Sequence, residues 1–138
     1  MNPILKNVLA VAAGIIIGGI INGGLIMLGP SIIPLPEGID PGNIESIKAN
    51  IHRYSTANFI SVFLAHALGT LVGAFVCTKL LAVRQITFPI LIGFFFLIGG
   101  VSMVKQIGGP TWFTSLDLIL AYVPMAWLGA KLGGIDKI

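Results

Sequence analysis

Residues 57–78 read ANFISVFLAHALGTLVGAFVCT, and this stretch decides the fold. It carries no formal charge, and a helix needs about 20 apolar residues to cross a hydrocarbon core roughly 30 Å thick. Three further stretches, about 8–28, 88–104 and 116–132, meet the same requirement. An unpaired backbone polar group is costly in lipid, so each span is expected to be one continuous helix. The fold class that follows is all-α, an integral membrane four-helix transmembrane bundle forming a single domain over 1–138. The alternating pattern of a membrane β-barrel is missing.

Composition says the same. Of 138 residues, 56% are hydrophobic and only 9% charged, where a soluble domain carries about 25% charged residues. The mean hydropathy of +1.00 excludes a soluble enzyme, a secreted disulfide scaffold and a disordered segment. Cys77 is the one cysteine, which forbids an intrachain disulfide and any paired-cysteine metal or redox site. The eight Lys and Arg residues are scattered and give a net charge of +3, so nucleic acid is not an expected partner; the lipid bilayer is. Lys6, Lys79, Arg84, Lys131 and Lys137 fall on one side of the spans, and Lys48, Arg53 and Lys105 on the other. That bias predicts both termini inside.

The long connection, about 29–56, begins with Pro30, Pro34, Pro36 and Pro41. Asp40-Pro41 reads as an N-cap followed by an N1 proline. Ile44, Ile47 and Ile51 then recur at helical spacing, which predicts a short amphipathic helix in the first outer loop, lying on the membrane surface or capping the bundle. Ser55 or Thr56 is the expected cap of the second span.

Glycine spacing marks the packing faces. Gly14 and Gly18 in the first span, Gly69 and Gly73 in the second, and Gly129 and Gly133 in the fourth form stripes that let backbones approach closely. The third span, with Phe94-Phe95-Phe96, is expected to be the most lipid-exposed.

Polar residues inside the spans are the sharper signal. At a rise of about 1.5 Å per residue, Asn22 and Tyr122 lie about 9 Å deep and His66 about 13 Å deep, with Thr70 one turn below His66. Asn22, His66, Thr70 and Tyr122 therefore form a candidate polar pocket. They are expected either to satisfy one another as interhelical glue or to line a small site open to the outside. Asp117 reads as a first-turn residue of the fourth helix that favours the helix dipole, which leaves a proton-coupled exporter without its deep carboxylate. His52 and His66 are too far apart along the chain for a shared haem. Zinc-protease, phosphate-loop and nucleophile motifs are missing, and no cofactor, metal or catalytic residue is expected.

The order Pro34-Leu35-Pro36-Glu37-Gly38-Ile39-Asp40-Pro41, then Ala65-His66-Ala67-Leu68-Gly69-Thr70, then Gly109-Pro110-Thr111-Trp112-Phe113 and Leu128-Gly129-Ala130-Lys131-Leu132 resembles a family of small uncharacterised bacterial four-span integral membrane proteins. The resemblance covers nearly the whole chain and implies the bacterial cytoplasmic membrane. It brings no activity, substrate or catalytic residue. Where the family has His-Pro before Trp-Phe, this chain has Gly109-Pro110, so no role for a loop histidine carries over. The function expected first is a non-catalytic packing or accessory subunit, as a homodimer or within a larger membrane complex. The alternative is a small transporter or channel using the polar layer between the first, second and fourth helices, and an enzyme is the least expected.

Overall fold

The computed structural model describes residues 1–135. Among them the regular structure is helical: α1 (Pro3–Leu28), α2 (Ile44–Asn50), α3 (Thr56–Leu80), α4 (Thr87–Ile107), α5 (Thr111–Leu120) and α6 (Val123–Gly133). Four stretches, Pro3–Ser31, Thr56–Leu80, Thr87–Ile107 and Thr111–Gly133, are long and apolar enough to cross a membrane. The chain is a multi-pass membrane protein built as an all-α four-helix bundle. Lys137, counted in the charge bias, lies outside the described residues.

Local chemistry explains where the helices begin. Asn2 Oδ1 accepts the Ile4 N–H at 2.9 Å and Pro3 takes the first helical position, so α1 starts ahead of the expected Val8. Ser55 caps α3: its Oγ accepts the Asn58 N–H at 3.2 Å, and Asn58 Oδ1 accepts the Ser55 N–H at 3.0 Å. The Asn58 amide also donates to the carbonyl of Pro34 at 3.1 Å, tying the proline-rich segment to the head of α3.

The expected start of the loop helix at Asp40-Pro41 is corrected. Asn43 is the N-cap of α2, while Asp40 Oδ1 accepts the Gly42 N–H at 2.8 Å in a local turn. The side chain of Asp40 thus closes a turn before the helix can begin. As the capping placement expects, α2 packs against α4 over the cavity, with Ile47 and Ile51 half-buried and Ile44 41% exposed.

α3 is the central helix, crossed by α1 on one side and α6 on the other. The α1–α3 crossing sets glycine against glycine. A Cβ at Gly73 would stand 2.6 Å from the Gly14 carbonyl oxygen, and one at Gly18 would stand 2.7 Å from that of Gly69. On the other side Gly129 closes on the Leu71 carbonyl and Gly133 on Thr78. Lipid tails are as apolar as leucine, so this close van der Waals contact holds the helices together. At the end away from α2, Asn7 Oδ1 accepts the Ala82 N–H at 2.8 Å and closes the turn after α3.

Two further expectations are corrected. α4 is not alone as the most exposed helix: α1 equals it, with Ile16, Ile20 and Leu28 turned outward, because only its face of Asn7, Ala10, Gly14 and Gly18 is buried. The fourth span is also not continuous. Pro124 has no N–H to offer the carbonyl four residues back, and its ring crowds that turn. The helix stops at Leu120, Tyr122 takes φ −116° and ψ −83°, and α6 restarts at Val123.

Candidate functional site

The break between α5 and α6 positions the site. α5 starts at Thr111 behind Pro110, earlier than the expected 116, so Asp117 is not in the first turn. It lies about 9 Å along the helix. The dipole-capping role read for it from the sequence is therefore overturned: Asp117 is only 2% exposed and faces α3. The break then turns the Tyr122 ring back toward the same point.

Three side chains meet there. His66 Nδ1 stands 2.8 Å from Asp117 Oδ1 and 3.0 Å from the Tyr122 hydroxyl, which donates to Asp117 Oδ2 at 2.9 Å. The His66 and Tyr122 rings stack with centroids 5.8 Å apart. This geometry fixes the tautomer. The tyrosine proton goes to Asp117, so only a protonated Nδ1 avoids setting its lone pair against two oxygen acceptors. Asp117 then holds His66 by Nδ1–H, and whenever the ring is neutral its lone pair is on Nε2, on the far side. Among the described residues nothing hydrogen-bonds Nε2, and the His66 side chain is 18% exposed.

His66 and Asp117 both line a cavity of about 370 Å³ between α1, α3, α4 and α5. Ile26, Val62, Met103 and Phe113 form its walls, and Ile44, Ile47 and Ile51 of α2 roof it. Tyr54 is part of the rim, and burial raises its phenol above the ordinary value, so it adds no charge at neutral pH. His66 and Asp117 provide the ionisable part of the floor, and no Lys or Arg is among the lining residues. The size and the apolar lining with few polar groups are those of a small-molecule site.

The four residues of the expected pocket have separate fates. His66 lines the cavity, and Tyr122, 3% exposed, stands behind it. Asn22 lines the cavity but bonds neither of them, and its Oδ1 is buried without a partner. Thr70 is outside the cavity, its hydroxyl donating to the His66 carbonyl at 2.9 Å on its own helix. Asp117 is the residue that sequence reasoning passed over. Pro110 ahead of Thr111 was the available signal, since a proline there marks a helix start.

Gly100 of α4 makes room for this cluster, because a Cβ there would stand 2.5 Å from the Tyr122 hydroxyl. Gly100→Ala is expected to push the hydroxyl off Asp117 and to cost about 1–3 kcal/mol as overpacking. In a Tyr122→Ala background, which also removes the ring carbons 2.7 and 2.8 Å from that Cβ, the cost should fall by about 1 kcal/mol in a double-mutant cycle read by denaturant unfolding in mixed micelles. Equal costs in both backgrounds would refute the contact.

Compared with family models, curated proteins and solved structures, the chain matches none, so the reading of the site rests on its geometry.

Proposed function

We propose that the chain is a small transport protein of the cell membrane that binds an amphipathic molecule in the cavity beneath α2. The observation that carries this reading is the Asp117–His66–Tyr122 group, set within the spans, with His66 and Asp117 lining an apolar cavity and His66 Nε2 without a hydrogen-bond partner among the described residues. Ionisable side chains inside a membrane are expensive, and a site that turns one toward a cavity gives that cost a use. A purely structural contact needs no adjoining space. With the termini inside, as Lys6, Lys79, Arg84 and Lys131 favour over Lys48, Arg53 and Lys105, the cavity belongs to the outer half of a bacterial cytoplasmic membrane.

The packing-subunit reading has weaker support. The stripes of Gly14, Gly18, Gly69, Gly73, Gly129 and Gly133 are filled within the chain and are not left for a partner. What favours it is the α1 face at Gly19, Gly23 and Gly24, where an added Cβ would meet nothing within 4 Å.

Native mass spectrometry of the protein released from its own membrane tests the binding reading. A small-molecule adduct is expected on the wild type and missing from Val62→Trp, which fills the cavity one helical turn from His66. An adduct retained in Val62→Trp, or a wild type seen bare or bound only to another protein, would overturn the reading.

A further inference from the structure

The chemistry of the cavity floor selects the head group of the bound molecule. His66 Nε2 is the acceptor left open there, because Nδ1 is committed to Asp117; Asn22 also lines the cavity, with its own Oδ1 buried and unpartnered. An acceptor without a partner calls for a ligand that donates hydrogen bonds, since a buried acceptor left unmade costs about 1–3 kcal/mol.

Charge narrows the choice. Facing His66 are Asp117 of α5 and Tyr122 at the α5–α6 break; α1 contributes only the uncharged Asn22. α4 turns no titratable group to the cavity, its Lys105 being exposed at the helix end, and the rim adds only the neutral Tyr54. Whenever Asp117 is ionised and His66 is neutral, the floor carries one uncompensated negative charge. An anionic head would meet that charge with no cation beside it. A neutral head would leave it unpaired in a medium of low dielectric.

Building on the transport reading above, the geometry points to a lipophilic ammonium ion as the ligand, bound in exchange for one proton. With His66 protonated on both nitrogens, the imidazolium and Asp117 are neutral as a pair and the cavity needs no ligand. When Nε2 gives its proton to water at the capped end, an R–NH₃⁺ group takes the place of that charge. Its N–H groups donate to Nε2, and its apolar body lies against Val62, Met103 and the isoleucines of the roof. Either state of the floor is neutral, so the two cations compete for one carboxylate.

Calorimetry of the full chain in lipid nanodiscs, with empty nanodiscs subtracted, tests this with three probes sharing one tail: octylammonium, 1-octanol and octanoate. Octylammonium is expected to bind at least tenfold tighter than octanol. Where His66 starts out charged, its binding should release close to one proton per ligand, read from the dependence of the heat on buffer ionisation. Its affinity should then weaken by up to about tenfold for each pH unit lowered. Octanol binding as tightly with no proton release, or octanoate binding tightest, would overturn the ammonium assignment and leave the cavity reading standing. If no probe binds above empty nanodiscs, the cavity reading falls with it.

Discussion

Asp117→Asn is expected to leave the bundle folded while removing the preference for ammonium over alcohol. The amide keeps the volume of the carboxylate, and its oxygen can still accept the His66 Nδ1–H that now stands 2.8 Å away. Its NH₂ end would face the Tyr122 hydroxyl, which must turn from donating to accepting. Hydrogen bonds between membrane helices average about 0.6 kcal/mol and reach about 1.7, so a stability loss of about 1–2 kcal/mol is expected. The charge has no substitute. Without it, an ammonium bound beside a neutral His66 is an uncompensated cation, and affinity for octylammonium should fall at least tenfold. Asp117→Ala is the harsher change, leaving Nδ1 and the tyrosine hydroxyl both unpaired, with a loss nearer the roughly 3–5 kcal/mol of a broken buried pair. Octylammonium binding to Asp117→Asn with unchanged affinity and proton release would show that the carboxylate is structural only.

The second large effect concerns the frame that holds the site. Gly73→Val should destabilise the protein by about 2–3 kcal/mol, near the top of the range for overpacking. Its Cβ would fall 2.6 Å from the Gly14 carbonyl oxygen and 3.3 Å from the Gly18 Cα. Both are backbone atoms, so no side chain can swing aside and α1 must move off α3. That movement also shifts Asn22, whose Cβ lies against Gly69 one turn along the same crossing. Gly19→Val is the control, because a Cβ there meets nothing within 4 Å. Unfolding in mixed detergent should separate the two variants clearly; equal stabilities would mean that this helix crossing does not hold the bundle.

The spans were legible because length and apolarity alone decide insertion, and the glycine faces because small residues at steps of three and four admit a neighbouring backbone. The roof was also readable, since Ile44, Ile47 and Ile51 recur at helical spacing over a proline-rich lead. The chemistry was harder to see. His66 and Asp117 are far apart in sequence, and their meeting depends on the depth at which the fourth span begins. Starting that span at 116 put Asp117 at the membrane edge, whereas Pro110 starts the helix at Thr111 and moves the carboxylate well inside. Pro124, inside the fourth span, breaks the helix and swings Tyr122 onto Asp117. Both prolines were in plain view; their consequence for two side chains was not, because it appears only when α3 and α5 are laid side by side.

The proposed site depends on Asp117 committing His66 Nδ1–H, so that the neutral ring keeps its lone pair on Nε2 for a ligand. Nitrogen-15 magnetic resonance of histidine-labelled protein in lipid tests it most directly, since His52 and His66 are the two histidines and His52→Gln assigns the spectrum. At a pH where the ring is neutral, the account predicts that His66 carries its proton on Nδ1, strongly hydrogen-bonded, and that Asp117→Asn weakens that bond. A His66 ring protonated on Nε2 instead, or one indifferent to Asp117→Asn, would contradict it.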